Sequence, residues 1–127
     1  KGIPELLEKI SASGIKLAIA SNKYQDGTEK LAEKFFRKYK FEAILGQRDG
    51  MPIKPDPEIV YEAMQAAGIE DKSDVVYVGD SDVDMITGNN AGVRTIGVTW
   101  GFRTKEELLL HSPWKTADSP EQIFEYL

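Results

Sequence analysis

An alternation of two hydrophobic periods constrains the fold of this 127-residue chain more than any other feature. Segments with apolar residues every three or four positions favour amphipathic helices, and they alternate with short apolar runs that favour strands covered on both faces. The predicted strands cover residues 16–20, 43–45, 75–78 and 95–98, and the predicted helices lie around 3–10, 28–39, 57–67, 84–91, 105–110 and from 120 onward. This rhythm indicates βαβ units. We therefore expect a Rossmann-like α/β fold, in which a parallel sheet carries helices on both faces, as a single domain over residues 1–127.

Residues with strong positional preferences mark several helix ends. Gly68 and Gly92 follow apolar helical patterns and are expected to end those helices. Asp26 is interpreted as the cap of the second helix. On that helix, Leu31 and Phe35 are expected to face the core.

Charge and composition exclude several classes of function. The formal net charge is −5, and the basic residues between positions 30 and 40 alternate with glutamates, which argues against nucleic-acid binding through a basic face. The apolar runs are too short to cross a bilayer, so no membrane association is expected. The chain has no cysteine, which excludes a disulfide framework and a thiolate metal site. We expect a cytoplasmic protein.

The ligand site of an open parallel sheet lies beyond the carboxyl ends of its strands. In this sequence those ends are Ser21, the 46–54 loop, residues 79–84 and the loop after Val98. The candidate site residues are therefore the polar side chains at these places.

Two acids after the third predicted strand give the strongest chemical signal. The buried run 75–78 leads through Gly79 to Asp80, and Asp84 follows one helical turn later. This spacing brings both carboxylates to one helix mouth, where hard oxygen ligands suit Mg²⁺ that keeps several of its waters. Helix capping by Asp80 or Asp82 is the alternative explanation, although three acids exceed what a cap requires.

Three further residues could bind an anion at the same rim. Ser21 and Asn22 follow the first strand, where a hydroxyl and free backbone N–H groups can hold phosphate oxygens, or simply form a turn. Lys54 precedes Pro55 and Pro57, which stiffen the backbone and fix the direction of its side chain. Its ammonium group could neutralise phosphate and the neighbouring carboxylates, although most lysines are ordinary surface residues.

Other sites can be excluded. The 80–84 segment matches the first half of a calcium-binding loop, but Met85 and Ala91 stand where that loop requires glycine and glutamate. His111 has no nearby partner for nucleophilic catalysis. The sequence also lacks a Walker A or a dinucleotide-binding fingerprint.

Taken in order, these motifs resemble those of the haloacid dehalogenase-like hydrolases, and most of all their phosphoglycolate-phosphatase-like branch. The motifs are Ser21-Asn22, Lys54-Pro55, Gly79-Asp80-Ser81 with Asp84, and Asn90-Ala91-Gly92. The resemblance implies that Ser21 and Asn22 hold a phosphoryl group and that Lys54 bridges phosphate and acids. It also implies that Asp80 ligates Mg²⁺, while Asp84 binds it directly or through water and orients Lys54. The 99–103 stretch resembles the loop near the family's substrate entrance, or else places Trp100 as a core or rim aromatic.

The sequence departs from the family pattern in its first motif. That motif is a strand that ends in a nucleophilic aspartate, followed two residues later by an acid/base aspartate. Asp26-Gly27-Thr28 mimics its end, but Tyr24 stands at the nucleophile position and no apolar strand directly precedes it. The family's first strand, its nucleophile and its cap domain would precede Lys1. We therefore expect that Lys1 is not the biological start, that the chain is the C-terminal portion of a longer protein, and that the central strand is absent from its sheet.

The resemblance implies Mg²⁺-dependent hydrolysis of a small phosphorylated metabolite through an aspartyl-phosphate intermediate, with the 127 residues alone inactive. Three alternatives remain open. A non-catalytic binding or regulatory module of the same fold would fit the missing nucleophile. A dehalogenase would not need the two acids, and a receiver domain would need an acceptor aspartate and a late lysine that are not found.

Overall fold

The computed structural model describes residues 2–101 and 103–127. The expectation about the chain start at Lys1, and the Phe102 position of the 99–103 stretch, lie outside the described residues. The helices are α1 (Ile3–Ala12), α2 (Gln25–Phe36), α3 (Glu58–Ala67), α4 (Asp82–Ala91), α5 (Lys105–Leu109) and α6 (Pro120–Tyr126), with a short 3₁₀ helix at Lys72–Asp74. The strands are β1 (Ala18–Tyr24), β2 (Ala43–Gln47), β3 (Val76–Gly79), β4 (Arg94–Val98) and β5 (Lys115–Ala117).

The strands pair in parallel, as predicted, and helices connect them. β1 pairs with β2, while β3, β4 and β5 form a second group in that order. Helices pack against both groups, with α2 and α3 on β1 and β2 and with α4 and α5 on β4. The predicted fold class, an α/β arrangement of parallel strands flanked by helices, is confirmed.

The two groups of strands are not hydrogen-bonded to each other within the described residues. β1 has a partner on one side only, and so does β3. The burial of the strands reflects this arrangement. Residues 95–98 of β4 are buried, whereas Val78 of β3 is 43% exposed and β1 is at most half-buried. The prediction that the first and third strands are buried is therefore wrong for the described structure, in which each strand also has one unpaired edge.

Two apolar clusters hold the helices against the strands. One joins α1 and α6 to β4 and β5 through Leu6, Ile10, Ile96, Val98, Ala117 and Ile123. The other packs α3 on α4 and the start of β4 through Ile59, Val60, Met64, Ala91 and Val93. Gly68 and Gly92 end α3 and α4 with φ values of 71° and 77°, the left-handed region that glycine tolerates, as the sequence predicted.

The second helix differs from its prediction. α2 begins at Gln25, so Asp26 lies inside its first turn and does not cap it. The residues that face the core are Thr28 and Ala32, whereas Leu31 and Phe35 are 43% and 60% exposed. The mixed pattern of this helix did not distinguish its buried face, because small residues pack closest to the strands.

Two strands also differ. β1 continues through Ser21 and Asn22 to Tyr24, past an irregularity in its pairing with β2 after Ala20. β5 is only three residues long and was not predicted, since Lys115–Ala117 shows no apolar alternation. No described helix combines the length and the apolar character that a bilayer span requires.

Candidate functional site

A buried ion pair between Lys54 and Asp84 lies at the centre of the candidate site. The Lys54 Nζ is 2.7 Å from Asp84 Oδ1, and the two side chains are only 10% and 12% exposed. The same ammonium donates to the carbonyl oxygen of Ala20 in β1 at 3.4 Å. Because Asp84 follows β3, this single side chain connects the carboxyl ends of the two groups of strands.

The backbone of Lys54 is fixed by the side chain of Asn22. The Asn22 amide accepts from the Lys54 backbone N–H at 2.9 Å and donates to the Lys54 carbonyl at 3.3 Å. On the next residue, the Pro55 carbonyl accepts from Asn90 at 3.1 Å. The Asn22 side chain therefore positions Lys54. Because both polar atoms of this side chain are used, Asn22 could contact an anion only through its backbone N–H.

The loop that carries Lys54 is anchored at its other end as well. The Arg48 guanidinium forms a two-pronged ion pair with Glu62 of α3, at 2.6 and 3.0 Å. This hydrogen bond raises the pKa of Arg48 above its usual value. Both ends of the 48–54 segment are thus held, which restricts the positions that Lys54 can adopt.

The Asp84 carboxylate uses both of its oxygens within the protein. Oδ1 accepts from Lys54, while Oδ2 accepts from the Asp80 backbone N–H at 3.1 Å and from the Ser81 hydroxyl at 3.0 Å. Ser81 in turn accepts from the Asp84 N–H and is the N-cap of α4, so capping by Asp80 or Asp82, the alternative explanation for these acids, is not observed in the described residues. This exchange of hydrogen bonds holds Asp84 where it can orient Lys54.

Gly79 makes this arrangement possible. A Cβ at that position would overlap the Asp84 carboxylate. A side chain there would push Asp84 away from Lys54, so the glycine at the end of β3 is required by close approach.

Asp80 has a different environment from Asp84. Among the described residues its carboxylate accepts no hydrogen bond, and the loop backbone at Gly101 lies directly against it. A partly exposed carboxylate with free oxygens fits a hard cation such as Mg²⁺. The described residues contain no cluster of three His, Cys, Asp or Glu side chains, so a cation here would keep most of its waters, as Mg²⁺ usually does.

Ser21 lies in β1 between Ala20 and Asn22, both of which contact Lys54. Its hydroxyl accepts from the Lys23 backbone N–H at 3.0 Å. The structure therefore brings Ser21, Asn22, Lys54 and Asp84 to one rim, with Asp80 beside Asp84. No described hydrogen bond joins Ser21 directly to Lys54 or to the acids.

Sequence reasoning missed two residues around this site. Tyr77 of β3 lies beneath it, with its ring centroid 6.0 Å from Lys54 Nζ, and burial together with the Asp84 charge raises the pKa of its phenol, which stays neutral. Arg103 pairs with Asp82 at 3.3 Å and lowers the pKa of that carboxyl group. The continuous apolar run of β3 did not distinguish the face on which Tyr77 lies, and nothing in the sequence linked Arg103 to Asp82.

Comparison with known proteins gives one consistent family. The family model for haloacid dehalogenase-like hydrolases matches residues 1–98. The chain is 31% identical over 113 residues to the pyrophosphatase PpaX of Halalkalibacterium halodurans, covering 89% of this chain and 52% of that protein. It is 32% identical over 100 residues to the phosphoglycolate phosphatase of Aquifex aeolicus, covering 79% of this chain and 46% of that protein.

A solved structure agrees. The crystal structure of a protein assigned as a phosphoglycolate phosphatase from Lactobacillus delbrueckii superposes with a TM-score of 0.92 at 33% identity, covering 98% of this chain and 52% of that protein. The chain thus spans about half the length of the curated relatives it matches. The resemblance deduced from the sequence motifs is confirmed.

Proposed function

The chain belongs to the haloacid dehalogenase-like hydrolase family, and we propose that it provides most of the active site of a Mg²⁺-dependent phosphomonoesterase of the phosphoglycolate-phosphatase-like branch. The observation that carries the proposal is the buried Lys54–Asp84 pair beside the free Asp80 carboxylate. One fixed cation and one available carboxylate at the same rim suit a phosphoryl group that arrives with its own negative charge.

Each residue has a distinct proposed role. Lys54 contacts a phosphoryl oxygen and balances its charge, and Asp84 with Asn22 holds Lys54 in place. Ser21, together with the backbone N–H of Asn22, donates to the phosphoryl oxygens. Asp80 would hold Mg²⁺ with its free carboxylate oxygens, and Asp84 beside it would add a second negative charge to the site. The bound Mg²⁺ supplies positive charge that lowers the cost of charge development on the phosphoryl oxygens.

The open edges of β1 and β3 support a proposal about the nucleophile. We place it on a further parallel strand, outside the 127 residues, which pairs with both edges and ends in an aspartate near Lys54. Lys54 already contacts Ala20 of β1 and Asp84, which follows β3. Such a strand would also cover Val78 and the half-buried face of β1.

Hydrolysis then proceeds in two displacements at phosphorus. The aspartate oxygen forms a bond to phosphorus as the ester oxygen leaves and takes up a proton. Water next attacks phosphorus and loses a proton, the phosphorus–aspartate bond breaks, and inorganic phosphate and the free carboxylate are regenerated. Lys54 stabilises the equatorial oxygens in both steps.

The proposed substrate is a small phosphorylated metabolite. The two curated relatives are named for different substrates, pyrophosphate and phosphoglycolate, so what they share is the transferred phosphoryl group. Nucleic acid and membranes are not proposed as partners, in keeping with the net charge of −5. A cytoplasmic location belongs to the same proposal and can be tested by cell fractionation.

Hydrolysis of p-nitrophenyl phosphate by the protein at its natural length tests this function. Activity is expected with Mg²⁺ and not with a chelator, and Asp80→Asn is expected to lower kcat/KM at least a hundredfold, the typical loss when a stabilising group is removed. Asp26→Asn, a matched change in the acid that mimics the family motif, is expected to leave activity unchanged. The 127 residues alone are expected to be inactive.

Full activity of Asp80→Asn, or activity that does not depend on Mg²⁺, would contradict the proposal. A natural-length protein that folds and binds phosphate but turns over no phosphomonoester would favour the non-catalytic module instead.

A further inference from the structure

A groove with a volume of about 470 Å³ lies at the opposite end of the strands from the site described above. It is formed where the 3₁₀ helix, the end of α4, the start of β4 and the segment before β5 meet. Its lining residues are Lys72, Ser73, Asn89, Gly92, Val93, Arg94, Thr95, Ser112 and Trp114. Arg94 is the first residue of β4 and Val98 the last, so the groove and the catalytic rim are about 13 Å apart along that strand.

Two cations line this groove, and no carboxylate of the described residues does. Among the described residues neither Lys72 nor Arg94 has an acidic partner, although the chain carries a net charge of −5. The nearest acid in sequence, Asp71, accepts from the backbone and hydroxyl of Ser73 at 2.9 and 2.7 Å and is occupied within its own turn. Asp74, next to Ser73, is not among the lining residues either, so the described lining carries two positive charges and no negative one.

The cations are held in place by aromatic rings. The Arg94 guanidinium lies 4.7 Å from the Trp114 ring and donates one hydrogen bond, to the Ser73 carbonyl at 2.7 Å. The Lys72 ammonium lies 5.1 Å from the Tyr61 ring. A guanidinium that is stacked on a ring and uses one of its five N–H groups keeps the others for a ligand and loses little freedom when it binds.

Compensation of the α4 dipole does not explain both cations. The α4 end already has backbone partners, since Gly92 N–H donates to Asn89 and Val93 N–H donates to Gly88, the latter at 3.1 Å. Two of the last four carbonyls of α4, those of Gly88 and Asn89, therefore already have partners. Arg94 moreover directs its described hydrogen bond to the 3₁₀ helix and not to α4.

We propose that this groove binds a small phosphate-bearing anion, separately from the catalytic rim. Lys72 and Arg94 supply two positive charges, which match a phosphate dianion better than a single carboxylate. Ser112 lines the same space, and its hydroxyl group can donate to a remaining oxygen. The site does not depend on the proposed catalytic function, because none of its residues belongs to that machinery.

The two tryptophans of the chain report on the two regions separately. Trp114 lines the groove, whereas Trp100 follows β4 at the catalytic rim. Within the 127 residues, a Trp100→Phe variant therefore keeps Trp114 as the single tryptophan. Inorganic phosphate, titrated into this variant at constant ionic strength, is expected to change the Trp114 emission along a saturable curve.

Substitutions assign the binding to the groove. Arg94→Gln is expected to weaken phosphate binding at least tenfold, the effect of losing charge-assisted hydrogen bonds, and Lys72→Gln is expected to weaken it as well. Lys54→Gln is expected to leave the midpoint unchanged. Because loss of the stacked guanidinium alters the starting emission of Arg94→Gln, its phosphate dissociation constant is measured by calorimetry. Circular dichroism establishes that each variant is folded.

Several results would overturn the proposal. They are a linear emission change, an unchanged phosphate midpoint in folded Arg94→Gln and Lys72→Gln, loss of the signal in Lys54→Gln, or acetate that binds as tightly as phosphate. If Arg94→Gln does not fold, the Lys72→Gln comparison decides alone, because Lys72 is exposed and its described hydrogen bond, from Val75 N–H, is made by the backbone carbonyl and not by the side chain.

Discussion

Lys54 illustrates how single residues define the catalytic rim. A lysine that is only 10% exposed is unusual, and burial of its charge is tolerated because Asp84 lies 2.7 Å away and Ala20 offers a carbonyl. Removal of one partner leaves the other charge buried without compensation. The pair therefore fixes the geometry of the site, and the fold is sensitive to its loss.

The Asp84→Asn change tests the importance of this pair. We expect a loss of about 3 kcal/mol in the free energy of unfolding, at the lower end for breaking a buried ion pair because an amide can still accept one hydrogen bond. Urea denaturation measures this difference. Glu33→Gln breaks an exposed ion pair with Arg37 by the same chemical change and is expected to cost about 0.5 kcal/mol or less. Equal effects of the two substitutions would show that the buried pair has no special role.

The Arg103–Asp82 pair gives a prediction about protonation. The hydrogen bond from Arg103 lowers the pKa of Asp82. A carboxyl group whose pKa is lower in the folded state stabilises that state above its ordinary pKa, and this stabilisation disappears as the pH falls through the folded value. NMR titration of Arg103→Gln is expected to show the pKa of Asp82 moving up toward its ordinary value. Glu107 provides the internal control, because its pKa is lowered chiefly by hydrogen bonds from Thr104. An unchanged Asp82 pKa would exclude the pair as the cause.

At the scale of elements, the contact between α4 and β4 depends on a glycine inside a helix. A Cβ at Gly88 would overlap the Thr95 side chain of β4, and Thr95 is fully buried. The helix that positions Asp84 can therefore approach the sheet only because position 88 has no side chain.

Two glycine-to-alanine changes separate helix propensity from packing. Gly27 lies in α2, where a Cβ meets only the flexible Lys23 side chain. Gly27→Ala is expected to leave stability unchanged or raise it by up to about 1 kcal/mol, since alanine favours the helix. Gly88→Ala is expected to lower stability by about 1–3 kcal/mol, the usual cost of overpacking. Thermal unfolding of the two variants measures the direction of each stability change. Stabilisation by Gly88→Ala would contradict the close approach of α4 to β4 at this position.

The predictability of the elements followed the strength of their patterns. α3 and β4 were predicted well because their apolar positions recur clearly, and the ends of α3 and α4 were predicted because glycine ends each helix in the left-handed region. α2 and β5 were not, since α2 buries Thr28 and Ala32 in place of its larger apolar residues and β5 has three residues. Local sequence does not determine which face of α2 is buried or where β5 pairs, because both depend on the position of the neighbouring strands.

The candidate site shows the same division. The acids, the lysine and the serine could be listed from the sequence because each follows a strand. Their roles as phosphate and metal ligands remain predictions. What the sequence did not reveal were contacts between distant segments, such as the Asn22 amide on the Lys54 backbone and the Arg48–Glu62 pair. These contacts join residues 32 and 14 positions apart, which no local pattern encodes.

At the scale of the whole molecule, the fold is two groups of parallel strands joined at one rim by Lys54. The fold class and family followed from the order of the motifs and are confirmed. The open edges of β1 and β3 leave apolar strand residues partly exposed. In our proposal both edges pair with a strand that carries the nucleophile, so the arrangement of the sheet and the chemistry of the site have a common explanation.

A crystal structure of the protein at its natural length, grown with Mg²⁺ and inorganic phosphate, tests the central claim most directly. We predict phosphate within hydrogen-bonding distance of Lys54 Nζ and the Ser21 hydroxyl, Mg²⁺ on the Asp80 carboxylate, and a strand that ends in aspartate between β1 and β3. Phosphate and Mg²⁺ bound away from this rim, with Lys54 still paired to Asp84 and in contact with neither, would contradict it.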